Sequence, residues 1–165
     1  PPRPGRVRRG GAPDTTAPFE RRFTVRWGDV DANGHMRNTA YSEMCNDTRV
    51  GFLAAGGFRW QRLAELGIGP VIFREEIDYR REASMGEDLR VDVVSGGLSP
   101  DGARWVLRHT MWNAAGEVMA RVAVRGGWID ARARRLVVPP AELVDVFRGA
   151  ARGEPFEELP ALRRR

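Results

Sequence analysis

Apolar residues first fall into a regular order near Phe19, where Phe23, Val25 and Trp27 alternate with Thr24 and Arg26. A period of two marks a strand with one buried face. The strand is predicted to end in Gly28-Asp29-Val30-Asp31-Ala32-Asn33-Gly34, a run rich in residues that favour turns and caps. From Asn38 to about Ala55 the period changes: Tyr41, Met44, Cys45, Thr48, Phe52 and Ala55 recur every three or four positions and share one stripe of a helix, the longest of the chain. Gly56-Gly57 stops it, and Trp60, Leu63, Ala64 and Leu66 predict a short second helical piece. Four strand-like runs follow over 71–80, 89–95, 104–113 and 118–129. Glycine-containing turns separate them, so sequence neighbours are expected to pair as antiparallel hairpins. Pro139-Pro140 opens a terminal helix over 141–148, with Leu143, Val144 and Phe147 on one stripe.

The order strand, long helix, four strands, short helix predicts an α+β domain over 19–150, with about five antiparallel strands around one helix. One helix cannot cover both faces of such a sheet, so a second copy is expected to cover the other face or an edge, giving a homo-oligomer. Residues 1–18, with five Pro among scattered Gly and Arg, are predicted to be a disordered arm. Residues 151–165 are predicted to be a C-terminal tail.

Charge changes this picture less than its total suggests. The chain of 165 residues carries a formal +5 and a pI near 10.7, which invites a nucleic-acid or anionic-membrane partner. Residues 1–22, however, hold six Arg against two acids, while 23–151 hold 17 Arg against 17 acids. The excess belongs to the ends, which lack interleaved aromatics, so no nucleic-acid partner is expected. No apolar run of about 18 residues predicts a membrane span, and no secretory signal is legible. The single Cys45 cannot close an internal disulfide, and a reducing, cytoplasmic setting is the expectation.

Candidate chemistry concentrates in 27–41, WGDVDANGHMRNTAY, which packs Asp29, Asp31, Asn33, His35, Asn38 and Tyr41 into a strand-to-helix connection. As a calcium loop, Asp29, Asp31, Asn33 and Gly34 fit positions one, three, five and six, but position twelve needs a bidentate Glu and holds Ala40. As mere turn and cap residues they exceed the one or two groups a helix start requires. As an active site they have a clear use: helix N–H groups supply a place for an anion or a polarised carbonyl oxygen.

The string Asp31-Ala-Asn33-Gly-His35-Met-Arg-Asn38-Thr-Ala-Tyr41 resembles the D-x-N-x-H-x-N-N-x-x-Y signature of hot-dog-fold thioesterases, the group of 4-hydroxybenzoyl-CoA and acyl-ACP thioesterases. The preceding strand, the following helix and the later Glu76-Ile77-Asp78-Tyr79-Arg80 extend the likeness over about 19–148. Arg37 departs from it, standing where the acyl-ACP branch carries the first of two Asn. The resemblance implies a hot-dog fold and an acyl thioester hydrolase acting on acyl-CoA or acyl-carrier protein, as a homodimer or dimer of dimers. No separate cofactor or metal is implied, because CoA or phosphopantetheine is part of the substrate. Asp31 matches the catalytic carboxylate, acting as general base on water or attacking the carbonyl directly. His35 and Asn33 would orient water or the carbonyl, and Asn38 and Tyr41 would shape the site.

Phosphates of CoA call for Arg at a rim, and Arg80 or Arg81 and Arg104 are the candidates by region. Glu43 is a possible second carboxylate. Glu75, alternating with Phe73 and Ile77, is expected to face the helix as a partly buried acid. Cys45 and His109 read as structural. Hydratases and dehydratases of the same fold place His five positions after Asp with an intervening Pro, whereas His35 follows Asp31 by four, so the spacing favours hydrolysis. A hot-dog protein that binds an acyl thioester without hydrolysing it fits the same residues.

Overall fold

A computed structural model describes residues 17–163, so the predicted arm over 1–18 lies almost wholly outside the described residues. The elements run β1 (Phe19–Thr24), α1 (Asn38–Ala55), α2 (Trp60–Glu65), β2 (Ile68–Tyr79), β3 (Asp88–Leu98), β4 (Arg104–Asn113), β5 (Val118–Asp130), α3 (Ala141–Arg148) and β6 (Arg152–Glu158). Periodicity placed α1, β4 and α3 at their observed bounds. The first strand is shorter than its pattern suggested: Val25 is buried, but Trp27 has left the sheet for a single 3-10 turn over Trp27–Asp29 and is 80% exposed.

The sheet order is β1-β3-β4-β5-β2, with β6 added beside β3. Two of the expected hairpins are present, β3 with β4 and β4 with β5. The third is not: β2 crosses over to pair antiparallel with β5, Ile77 opposite Val122, and β3 pairs with β1 instead. The reason is burial. Residues Leu89, Val91 and Val93 of β3, Leu107 and Met111 of β4, and Val122 and Val124 of β5 point to one side. They share a single core with Tyr41, Met44, Cys45, Phe52 and Leu53 of α1. A sheet curled around a helix buries most apolar area when the strands flanking the helix in sequence, β1 and β2, take its two rims. This is the hot-dog arrangement.

The segment expected to be a tail contains β6, which makes a sixth strand. It runs parallel to the second half of β3, where Gly97 is close enough that a Cβ would stand 2.7 Å from the Glu157 carbonyl oxygen. Glu157 anchors it by ion pairs to Arg108 at 3.0 Å and Arg125 at 2.7 Å. Neither contact follows from a sequence pattern. The aromatic rings of Phe52, Trp105, Trp128 and Phe147 meet beyond the far half of α1, with centroids 5.7–6.5 Å apart, and fasten α3 to the sheet.

Candidate active site

The connection between β1 and α1 is fixed before any substrate arrives. Asp29 is buried and takes the Arg26 guanidinium at 3.0 and 3.1 Å as well as the Arg26 N–H at 2.8 Å. The Arg26 hydrogen bond holds its carboxyl below the usual range. Its carbonyl accepts the Arg37 N–H at 2.8 Å, which sets the entry into α1. Asp29 is therefore the structural support of the loop.

Two residues on, the chain turns tightly. Asp31 Oδ1 accepts the Asn33 N–H at 2.8 Å, the Asp31 N–H donates to the His35 carbonyl at 2.9 Å, and Gly34 supplies the left-handed φ of +80° that closes the turn. His35 then pairs with Ser84, and the Met36 N–H donates to Ala83 at 2.7 Å. These bonds pin the loop to the chain that leaves β2, and so bring distant residues to the mouth of α1.

The result is a pocket of about 400 Å³. Asp31, Asn33, His35, Asn38 and Tyr41 line it from the loop and helix, and Tyr79, Arg80, Arg81 and Glu82 from the end of β2. Tyr41 is buried, donates its hydroxyl to the Arg81 carbonyl at 3.1 Å and meets Tyr79 edge to face at 5.2 Å. Burial pushes its phenol up, so it stays a neutral donor. His35 Nε2 lies 3.3 Å from the Glu82 carboxylate. No side chain caps α1, since its N-cap position is Arg37. The Ala40 N–H is already donated to the Arg37 carbonyl, whereas the N–H groups of Asn38 and Thr39 have no carbonyl one turn back within the helix.

Of the residues singled out in the sequence, Asp31, Asn33, His35, Asn38, Tyr41, Arg80 and Arg81 thus share one pocket. Arg104 does not join them. Its guanidinium donates to the Pro160 and Ala161 carbonyls at 2.8 and 3.2 Å and ties down the C-terminal segment, a use that only the return of that segment creates. Arg80 and Arg81 are half exposed at the rim, beside Asp78 and Glu117. Glu43 lies on another side of α1, held by Arg37 at 3.0 Å. Glu75 does face the helix, accepting from Ser42 at 2.6 Å and lying 3.5 Å from Arg49.

Cys45 is buried with its thiol pushed up to about 12 by desolvation, which removes it as a nucleophile. Burial brings His109 down to about 3, and its neutral ring bridges the Asp92 carbonyl and Arg49. Met36, Tyr79 and Glu82 are the pocket residues that sequence reasoning did not assign to it. The alternation of β2 places Tyr79 on the helix side, but Glu82 carries no local signal. Among the described residues no cluster of three or more His, Cys, Asp or Glu could hold a metal ion, and no helix is long and apolar enough to cross a membrane.

The profile of the Thioesterase-like superfamily matches residues 25–147, the stretch that holds the loop, α1 and the sheet. The chain belongs to this superfamily, and with the hot-dog fold this makes it a thioester hydrolase. No curated protein matches it in sequence. Among solved structures it is similar to a Staphylococcus aureus protein determined in complex with CoA, at 19% identity and a TM-score of 0.76 over 91% of this chain and 94% of that one. It is also similar to a 1,4-dihydroxy-2-naphthoyl-CoA thioesterase from Synechocystis, at 17% identity and a TM-score of 0.72 over 79% and 96% of the two chains. A probable thioesterase from Escherichia coli matches at 21% identity and 0.68 over 81% and 99%. At these identities the likeness is one of fold.

Proposed function

We propose that the protein hydrolyses acyl thioesters of CoA, or of carrier-bound phosphopantetheine, in the pocket at the start of α1. The observation that supports this reading is the meeting, in one pocket, of a carboxylate, Asp31, with Asn38, the first residue of α1, where the helix start leaves N–H groups uncapped. A thioester carbonyl directed at those N–H groups gains stabilisation as its oxygen becomes negative, assisted by the helix dipole. Asp31 takes a proton from water as the water oxygen attacks the carbonyl carbon, or attacks that carbon itself to give an anhydride that water then opens. In either course the C–S bond breaks and the sulfur leaves as thiolate, a good leaving group near neutral pH. His35 and Asn33 orient the attacking group, and Arg80 and Arg81 meet the phosphates of the carrier. The half-exposed pocket is completed in a homodimer through the β2 edge, which pairs only with β5 among the described residues and exposes Ile72 and Phe73.

The test is thiol release from a panel of acyl-CoA and acyl-carrier thioesters. Asp31→Asn keeps an oxygen for the Asn33 N–H, so the loop is retained while kcat falls by about 10²–10⁴. Equal turnover by the variant removes Asp31 from the mechanism, and no turnover by the native protein on any thioester overturns the reading.

A further inference from the structure

Arg37 occupies the N-cap position of α1 with an extended backbone, and its side chain makes no cap. Ser, Thr, Asp and Asn are favoured there because their oxygens accept a first-turn N–H, and a cation meets the positive end of the helix dipole. The Arg37 guanidinium reaches in two directions instead. Backwards, its Nε donates to the Gly28 carbonyl at 3.1 Å. Forwards, Nη1 donates to the Thr39 hydroxyl, and Nη1 and Nη2 together take the two Glu43 carboxylate oxygens at 3.1 and 3.0 Å. The Arg37 N–H also donates to the Asp29 carbonyl at 2.8 Å. One residue thus holds two successive carbonyls of the 3-10 turn on one side and the first two turns of α1 on the other.

Stability does not account for this arrangement. The Arg37 and Glu43 side chains are 33% and 56% exposed, and an exposed pair contributes little against its ordering entropy and a missing cap. A local preference broken beside a functional site points to a use in function. Neither Arg37 nor Glu43 lines the Asp31 pocket, so the pair acts through the backbone. The loop that carries Asp31 has two fastenings. On the sheet side His35 bridges Ser84 and the Met36 N–H donates to Ala83, and on the helix side stands Arg37. Without the guanidinium, the turn that leads into Asp31 keeps only the Asp29 backbone bond to the start of the helix.

We infer that Arg37 is a positioning residue: its guanidinium clasps the 3-10 turn to the first two turns of α1 and so sets where the Asp31 carboxylate stands relative to the start of the helix. The consequence for turnover rests on the reading of Asp31 given above, whereas the clasp itself is read from the loop alone.

The native chain is compared with Arg37→Met, Arg37→Lys and Arg37→Asn in thiol release, thermal unfolding and amide hydrogen exchange. Arg37→Met should lower kcat by about 10- to 100-fold with KM within about twofold, because carrier contacts are kept while the carboxylate and the carbonyl are misaligned. Arg37→Lys, a point charge that cannot form the two-pronged contact, should recover only part of that loss. Arg37→Asn supplies a favoured cap, so its unfolding midpoint should match or exceed the native one while kcat stays low. The Asn33 N–H, which Asp31 Oδ1 accepts at 2.8 Å, reports the carboxylate directly. Its exchange should speed up by about 5- to 10-fold in Arg37→Met, the scale of one hydrogen bond, with the β4 amides unchanged. Full kcat in Arg37→Met, or recovery of kcat together with the midpoint in Arg37→Asn, overturns the inference and leaves the proposed hydrolysis standing. If the native chain releases no thiol, that hydrolysis falls and Asn33 exchange decides the clasp by itself: unchanged exchange overturns it, and faster exchange supports it.

Discussion

The Nε2 atom of His35 lies 3.3 Å from the carboxylate of Glu82, although 47 positions separate them in the chain. The pair forms because the His35 backbone bridges Ser84 and the Met36 N–H donates to Ala83, fastening the loop after β1 to the segment after β2. On the mechanism proposed above, Glu82 positions the imidazole of the pocket.

Glu82→Gln is therefore expected to lower kcat by about 10- to 100-fold, the scale of a misplaced catalytic group. Glu82→Asp should recover part of the loss. Both side chains are substantially exposed, so the thermal midpoint should stay unchanged, which separates positioning from folding.

Arg49 and Glu75 are expected to behave as a unit. Arg49→Met leaves Glu75 facing the interior without its cation and should destabilise the fold by about 2–4 kcal/mol. Adding Glu75→Gln should recover most of that loss, a coupling that denaturant titrations of the two single variants and the double variant would measure.

Asp92 is buried on β3 and accepts the Thr110 N–H at 2.6 Å; desolvation pushes its carboxyl up to about 6. A raised folded-state value means that the native state holds its proton longer than the unfolded chain. Its favourable contribution is then full below about pH 4 and is lost as pH rises through about 6. Asp92→Asn keeps the acceptor for Thr110. The stability of the variant minus that of the native chain should grow between pH 4 and pH 7 and then level off, read from unfolding midpoints at each pH.

Gly126 lets the Trp105 ring lie against β5. A Cβ there would overlap the ring carbons of Trp105 and stand 2.5 Å from the Val71 carbonyl oxygen. Gly126→Ala should cost about 1–3 kcal/mol by overpacking and shift the near-ultraviolet circular dichroism of the Trp105, Trp128 and Phe147 cluster.

Much of the fold was legible locally. The stripe from Tyr41 to Phe52 fixed α1 because a helix that buries one face must repeat every three to four residues, and Gly56 and Gly57 stopped it where expected. The Asp31–Tyr41 motif was legible because its residues are adjacent in sequence and the loop that folds them is short. The pairing of β2 with β5 was not. Alternation shows which face of a strand is buried, but it does not name the neighbour. Strand β6 was hidden for a related reason: its short, charged run is held by Glu157 reaching Arg108 and Arg125, two strands distant in the chain.

The sequence by itself determined the chemistry available at the start of α1: a carboxylate, an imidazole and amides placed within eleven residues, where local hydrogen bonds and a helix start suffice to assemble them. Tertiary structure alone decided what surrounds that chemistry. It brought Tyr79 and Glu82 to the pocket, sent Arg104 to the C-terminal segment, and added β6 to the sheet beside β3. Those outcomes depend on which strands share an edge and on how bulky side chains pack, and these are settled by burial across the whole chain.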